Sequence, residues 1–410
     1  MQKSFIIVSI FILFGCANTS DRKNEISESP INLSHTLSLV DSMLVEDEMI
    51  AYIWIYSDAP DYVPIEAPQE GITCVDDVGR FLEIIEYEIL VYKQSDLIPL
   101  ARKLTKFLLY MGLEDGLWNN FIYADGTRNA NHQNSEAEFG WWAIRGLRGL
   151  AAAYKIFENS DIDSKLVQRI NKQIEAANVH IQDALSNYPL TNLTYLGMKP
   201  AWLVKNAPDM NSELIISLVK LHNTGKFDYY NVIEKIAKGL VDYQYRNTGH
   251  DLDGMFLCWN NTWHNWGNNQ AYALLEAYKI TGDSTSLSSV IAWADSFVPF
   301  LDSIGFPNKI TVDYNGNYTT ETYPQIAYGF NSLYHGMKTL ANITNEQKYE
   351  FAAENIFAWF IGKNKAGISM YDLETGRCYD GIDGESSINM NSGAESTIEC
   401  LSAIQMRGEL

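Results

Sequence analysis

The chain is 410 residues long, 46% hydrophobic, and carries 51 acidic against 30 basic side chains, a formal net charge of −21. That balance excludes nucleic acid and an anionic bilayer as direct partners, because both need a basic face, and it weighs against polyanionic glycans. The length and apolar content are ample for a large core.

Lys3 precedes an apolar stretch over 5–14 that is too short to span a bilayer and runs into Leu13-Phe14-Gly15-Cys16. This segment is similar to a bacterial lipoprotein signal, with Cys16 as the lipidated mature N-terminus; an ordinary secretory signal is the alternative. Residues 1–16 are therefore expected to be a signal, 17–34 a polar tether, and 35–410 one helical domain. The expectation is an exported protein, lipid-anchored to the outer membrane, touching the membrane only through that lipid. No later run is long and apolar enough to cross a bilayer. Cys74, Cys258, Cys378 and Cys400 show no CxxC spacing and read as buried free thiols.

From there on, apolar residues recur at helical spacing. The pattern predicts helices near 35–50, 74–93, 96–111, 135–156, 162–186, 212–223, 229–246, 267–280, 285–302, 324–341, 346–361 and 393–406. Their connections alternate. Tight turns such as Thr281-Gly282-Asp283 and Ile343-Thr344-Asn345 alternate with loops of about twenty residues or more, at 51–72, 113–134, 188–211, 247–266, 303–322 and 362–391. A repeat of about sixty residues implies stacked helical hairpins burying one core. The expected fold is all-α, an (α/α)6 toroid of six hairpins, with an open solenoid as the other solution. In a toroid the inner helices are parallel, so every long loop falls on one face.

Those loops are rich in aromatic residues set among Asn, Asp and His, densest in CWNNTWHNWGNNQ at 258–270. An apolar wall with a few placed polar groups suits a hydroxylated ring, with a buried aromatic plug that rigidifies the loop as the alternative. Trp142, Trp202, Trp263, His264, Trp266 and Tyr323 are the candidate contacts to such a ligand.

Three loop-to-helix junctions carry capping-box spacing: Thr73-Cys74-Val75-Asp76, Ser135-Glu136-Ala137-Glu138 and Ser392-Gly393-Ala394-Glu395. Capping accounts for one carboxylate at each, but not for the additional Asp77 and Glu136. Glycoside hydrolysis needs two carboxyl groups flanking the scissile bond. Ring closure would set Asp76 or Asp77 of the first hairpin beside Glu395 of the last. Asp125, Asp251, Asp253, Glu321 and Asp380 are further acids; several sit beside glycine, where turn chemistry explains them better. No HExxH, P-loop or Rossmann pattern occurs, so no metal site and no cofactor are expected.

The hairpin periodicity, the CVDDVGR segment and the C-terminal NMNSGAESTIECLSAI resemble the six-hairpin glycosidase superfamily. The nearest likeness is to the glycosidase-like helical domain found with bacterial group 1 glycosyltransferases. There, too, a D-D pair opens the first inner helix and an N-x-N-x-G-A-E-S-T run the last, and Asn391 of that run joins the substrate-binding candidates. Departures stand at Glu321-Thr322-Tyr323-Pro324-Gln325, where the related domains carry an acid and paired glutamines before the proline, and at EAEFGWW. The resemblance implies a glycan context. The expected function is an exported, monomeric glycoside hydrolase acting on an oligo- or polysaccharide. Asp77 and Glu395 are its acid/base pair, with Asp76 and Glu136 in reserve. The alternatives are a glycan-binding lipoprotein without catalysis, or a polysaccharide lyase or sugar epimerase on the same scaffold.

Overall fold

A computed structural model describes residues 28–408. Cys16, the expected leader and residues 17–27 of the expected tether lie outside the described residues. Residues 28–33, the described end of that tether, are not loose: Asn32 Nδ2 donates to the carbonyls of Leu373 and Glu374, and Ile31 and Leu33 pack against the core.

Thirteen α-helices are present among the described residues. Six of them, α2 (Val75–Leu90), α4 (Trp141–Phe157), α6 (Pro208–His222), α8 (Gln270–Thr281), α11 (Ala327–Thr344) and α13 (Ala394–Arg407), pack each against the next, and α13 closes back on α2. This is a closed ring rather than an open solenoid. Outside it lie α3 (Ile98–Met111), α5 (Ser164–Leu185), α7 (Tyr230–Tyr243), α9 (Ser284–Ala292) continuing through a π turn into α10 (Val298–Ile304), and α12 (Gln347–Phe357).

Burial patterns separate the two layers. In α5 the buried apolar residues Leu166, Ile170, Ile174, Ala177, Ile181 and Leu185 form one stripe at helical spacing. In α6 nearly every residue from Pro208 to Leu221 is buried, as an inner helix packed on all sides requires. The predicted tight turns are real. Gly282 and Asn345 end α8 and α11 in the left-handed conformation (φ 69° and 57°), and Asp283 accepts from the Thr285 N–H to cap α9. Gly79 of α2 permits a close crossing with α4, since a Cβ there would stand 2.5 Å from the Arg145 carbonyl oxygen.

The helix expected over 35–50 is absent. A short α1 (Ser34–Ser38) leads into an antiparallel hairpin, Val40–Val45 against Glu48–Ile53, which packs on α3. Its turn places Glu46 and Asp47 at positive φ (48° and 64°), residues that do not advertise such a turn. The fourth helix starts at Trp141 rather than 135, and 285–302 is interrupted at Trp293–Phe297.

The long loops carry short strands instead of being structureless. Lys309–Val312 pairs with both Thr262–His264 and Tyr318–Glu321, and Gly381–Gly384 pairs with both Gln325–Ile326 and Ser387–Asn389. Thr73–Cys74, just before α2, pairs with Phe121–Ile122. The pairings of Thr73–Cys74 and Gln325–Ile326 lie directly ahead of α2 and α11 and set where those two helices begin.

Candidate active site

Four inner helices bring their first turns to one hollow at the loop face. A cavity of about 310 Å³ is lined by Asp76, Asp77 and Arg80 of α2, Arg145 of α4, Ala327 and Tyr328 of α11, and Glu395 and Ser396 of α13, with Tyr56, Glu70, Phe121 and Asp380 from the loops. A second cavity of about 400 Å³ shares Asp76, Arg145, Ile326, Tyr328 and Glu395 with it and adds Trp141, Trp266, Asn308 and Pro324. Together they make one cleft whose shared wall is acidic.

Arg80 organises the carboxylates. Its Nη2 donates to Asp77 Oδ1 at 2.6 Å and to Glu395 Oε2 at 3.0 Å, while Nη1 donates to Glu399 Oε1 at 2.9 Å. Asp77 is buried and also accepts from the Cys74 thiol at 3.2 Å. Burial raises the Asp77 carboxyl above its ordinary range against the pull of Arg80, with Glu395 adding to the rise. Burial likewise raises Glu399, which Arg80 opposes. Asp380 is raised by burial too, although Ser396 Oγ at 2.6 Å and the Gly393 N–H at 2.9 Å both donate to it.

Asp76 and Glu395, the carboxylates common to both cavities, keep a face toward the cleft. The Glu395 side chain is 45% exposed. Asp76, 18% exposed, accepts from Asn120 Nδ2 at 3.0 Å and lies 3.5 Å from Arg145 Nη1. Behind them Arg145 donates to Tyr328 Oη, which donates to Glu213 Oε1 at 3.1 Å; Glu213 in turn pairs with Arg148. Burial would raise Glu213, but Arg148 and Arg145 overcome it and hold the carboxyl at about 2.

The predicted site residues divide. Asp76, Asp77, Glu395 and Trp266 are brought together on the cleft wall. Glu136 is exposed and off that wall, because Ser135 to Glu138 belongs to the loop ahead of α4. Trp142, Trp202 and Trp263 are corrected as ligand platforms. All three are buried, with the first two indole N–H groups spent on the carbonyls of Trp118 and Lys235. His264 is buried against Asp209, with Trp266 stacked on its ring at 3.7 Å. Tyr323 is half-buried against the core, and Asn391 accepts from the Ala59 N–H; neither lines the cleft.

The capping boxes do not form either. Ser135 Oγ accepts from the N–H groups of Asn120 and Phe121, Glu138 pairs with Lys205, and neither α2 nor α13 has a side-chain cap. Glu395 instead reaches Arg80.

Arg80, Arg145 and Tyr328 are not among the expected site residues; the arginines lie one helical turn into α2 and α4, and Tyr328 at the start of α11. Sequence reading also set Asp380 aside as a turn residue and named Trp142, whereas the neighbouring Trp141 lines the cleft. The four described cysteines are buried and free, as expected. Among the described residues one group has the composition of a metal site, Asp209, Cys258 and His264, and it is not part of the cleft wall.

No protein-family model matches the sequence, and no curated sequence is similar enough to count as a relative. Solved structures do match. Cellobiose 2-epimerase from Bacillus thermoamylovorans superposes with a TM-score of 0.62 at 11% identity, over 91% of this chain and 96% of that one. A D-mannose isomerase gives 0.61 at 12% identity, over 87% and 91%. A family 76 glycoside hydrolase (mannosidase) from Bacteroides thetaiotaomicron gives 0.55 at 12% identity, over 92% and 96%. The fold is that of the six-hairpin (α/α)6 toroids. In this toroid, as in any whose inner helices run parallel, the helix N-termini and the long loops share one end, and here that end carries the acidic cleft.

Proposed function

We propose that the protein is a glycoside hydrolase in which Asp76 and Glu395 act as the carboxyl pair. The observation that carries this is that these two line both halves of the cleft while keeping solvent-facing surface, whereas Asp77 is spent on Arg80 and the Cys74 thiol. Asp76 is held in place by Asn120 Nδ2 at 3.0 Å and Arg145 Nη1 at 3.5 Å. It suits the base or nucleophile. Glu395 belongs to a cluster in which one guanidinium meets three carboxyl groups, two of them with raised pKa. Its side chain, 45% exposed toward the cleft, leaves Glu395 open to reach and protonate the leaving oxygen. Trp141 and Trp266, with ring centroids 6.2 Å apart and tilted by 48°, supply an aromatic wall for a pyranose face.

The fold is shared by epimerases and isomerases as well as hydrolases, so a sugar-active enzyme is the broader reading. Proton shuttling beside a carbonyl is work for a base titrating near neutrality, most often histidine. Among the described residues no histidine lines the cleft, which favours hydrolysis. Export with lipid attachment at Cys16 belongs to this proposal and rests on the leader pattern alone. The test is to incubate the purified protein with a panel of oligo- and polysaccharides and follow the products by proton NMR. New reducing ends are expected; an epimerised or isomerised sugar with every glycosidic bond intact would overturn hydrolysis in favour of the other chemistry.

A further inference from the structure

We propose that Asp209, Cys258 and His264 form a binding site for a divalent transition-metal ion, with zinc the best match, behind Trp266 of the cleft lining. The three side chains are 0%, 0% and 1% exposed, and their donor atoms all lie within 4.8 Å of one another. They come from separate parts of the chain: Asp209 from the first turn of α6, Cys258 and His264 from the long loop before α8. No short-range motif announces them, which is why the sequence shows no metal pattern.

The arrangement is poorly explained as an ordinary buried ion pair. His264 Nε2 and Asp209 Oδ2 stand 3.2 Å apart, yet among the described residues neither atom has a hydrogen-bond partner of acceptable geometry. Both residues are buried, where a polar atom without an aligned hydrogen bond is costly. Two ligand atoms on a tetrahedral ion, with bonds of roughly 2.0–2.1 Å, would sit about 3.3 Å apart without bonding each other. His264 Nδ1 meets the Trp266 carbonyl at 2.6 Å. Donation from Nδ1 fixes the tautomer that leaves the Nε2 lone pair free, the usual backing of a metal-bound imidazole. Cys258 Sγ accepts from the His264 N–H at 3.3 Å and from Asn268 Nδ2 at 3.2 Å, and as a thiol donates to the His264 carbonyl at 3.5 Å; the two N–H donors would remain to support a thiolate on a metal. A mixed sulfur, imidazole and carboxylate set favours zinc over magnesium or calcium, which select oxygen ligands alone. A water is left to complete the tetrahedron.

The ion would pin the 258–270 loop to α6 and hold the His264 ring on which Trp266 stacks. The test uses the purified full chain and reads metal directly, so it stands apart from any sugar activity. Metal content is measured by plasma mass spectrometry before and after dialysis against a chelator, and the chelated protein is refilled with Zn²⁺ or Co²⁺ under reducing conditions. One metal ion per chain is expected after Zn²⁺ refilling, with a rise in Tm of about 3 °C or more. Co²⁺ should produce the near-ultraviolet thiolate charge-transfer band in the wild type and in Cys378→Ser, and lose it in Cys258→Ser. Should Cys258→Ser not fold, protection of one thiol from alkylation by bound Zn²⁺ in the native wild type gives the same answer. Refilled wild-type protein with no bound metal, no cobalt–thiolate band and no shift in Tm would overturn the site.

Discussion

Arg80 donates from one nitrogen to both Asp77 and Glu395 and from another to Glu399, and its side chain is only 7% exposed. A guanidinium removed from water in this way depends on its acceptors, and Asp77 depends on it in turn. Adjacent aspartates therefore have different work: Asp77 holds Arg80, and Arg80 holds Glu395, while Asp76 turns to the cleft. Asp77→Asn leaves a buried guanidinium short of a charge and is expected to destabilise the fold by about 3 kcal/mol. Asp76→Asn, on the wetter side of the turn, should leave stability within about 0.5 kcal/mol of the wild type. Urea unfolding of the two variants side by side checks this; equal stability of Asp77→Asn and wild type would show that Asp77 is not a structural anchor. The sequence shows that a D-D pair opens α2, but not which member faces inward. That choice follows from the register of α2, which the pairing of Thr73–Cys74 with Phe121–Ile122 fixes.

At the scale of elements, the inner helices are joined by charge as well as by apolar packing. Glu213 of α6 pairs with Arg148 and stands 3.8 Å from Arg145, both on α4, and Arg148 also meets Glu83 of α2 at 2.6 Å. The folded protein holds Glu213 at about 2 against an ordinary value of 4.5, so the unfolded chain takes up that proton first. Its contribution is fully present above the ordinary value and drains away as pH falls toward 2. Glu213→Gln is expected to lose about 3 kcal/mol near neutrality, because Arg148 is left buried with one partner fewer. It should also show a shallower fall in urea midpoint between pH 6 and pH 3 than the wild type. Parallel midpoint curves for the two proteins would mean that Glu213 does not titrate as described. Helix existence was legible from periodicity, including the glycine and asparagine stops of α8 and α11. The 40–53 hairpin was not, because Glu46 and Asp47 adopt turn conformations normally left to Asn and Gly. The three capping boxes misled for a related reason: their spacing is right, but strand ladders and Arg80 compete for the same groups.

For the whole molecule, the closed ring turns an alternation of short and long connections into a geometry. Parallel inner helices collect their N-termini at one end, and the far end gathers later turns, where Glu83, Glu86, Arg148, Lys220 and Gln405 line a separate cavity of about 410 Å³. The long loops therefore build their walls around Asp76 and Glu395 and nowhere near the C-terminal ends of those helices. This much could be reasoned from loop lengths alone. Which aromatics line the cleft could not. Trp142 and Trp263 satisfy core packing, and Trp141 and Trp266 are left at the surface of the cavity. The proposed hydrolysis requires Asp76 and Glu395 to act together on a bound glycan. The most direct measurement is the rate of glycosidic bond cleavage, on whichever glycan the wild type hydrolyses, by Asp76→Asn and Glu395→Gln proteins shown by circular dichroism to be folded. Loss of a carboxyl that transfers a proton is expected to cost about 10²–10⁴-fold in kcat for each variant. Wild-type rates in both folded variants would contradict the assignment.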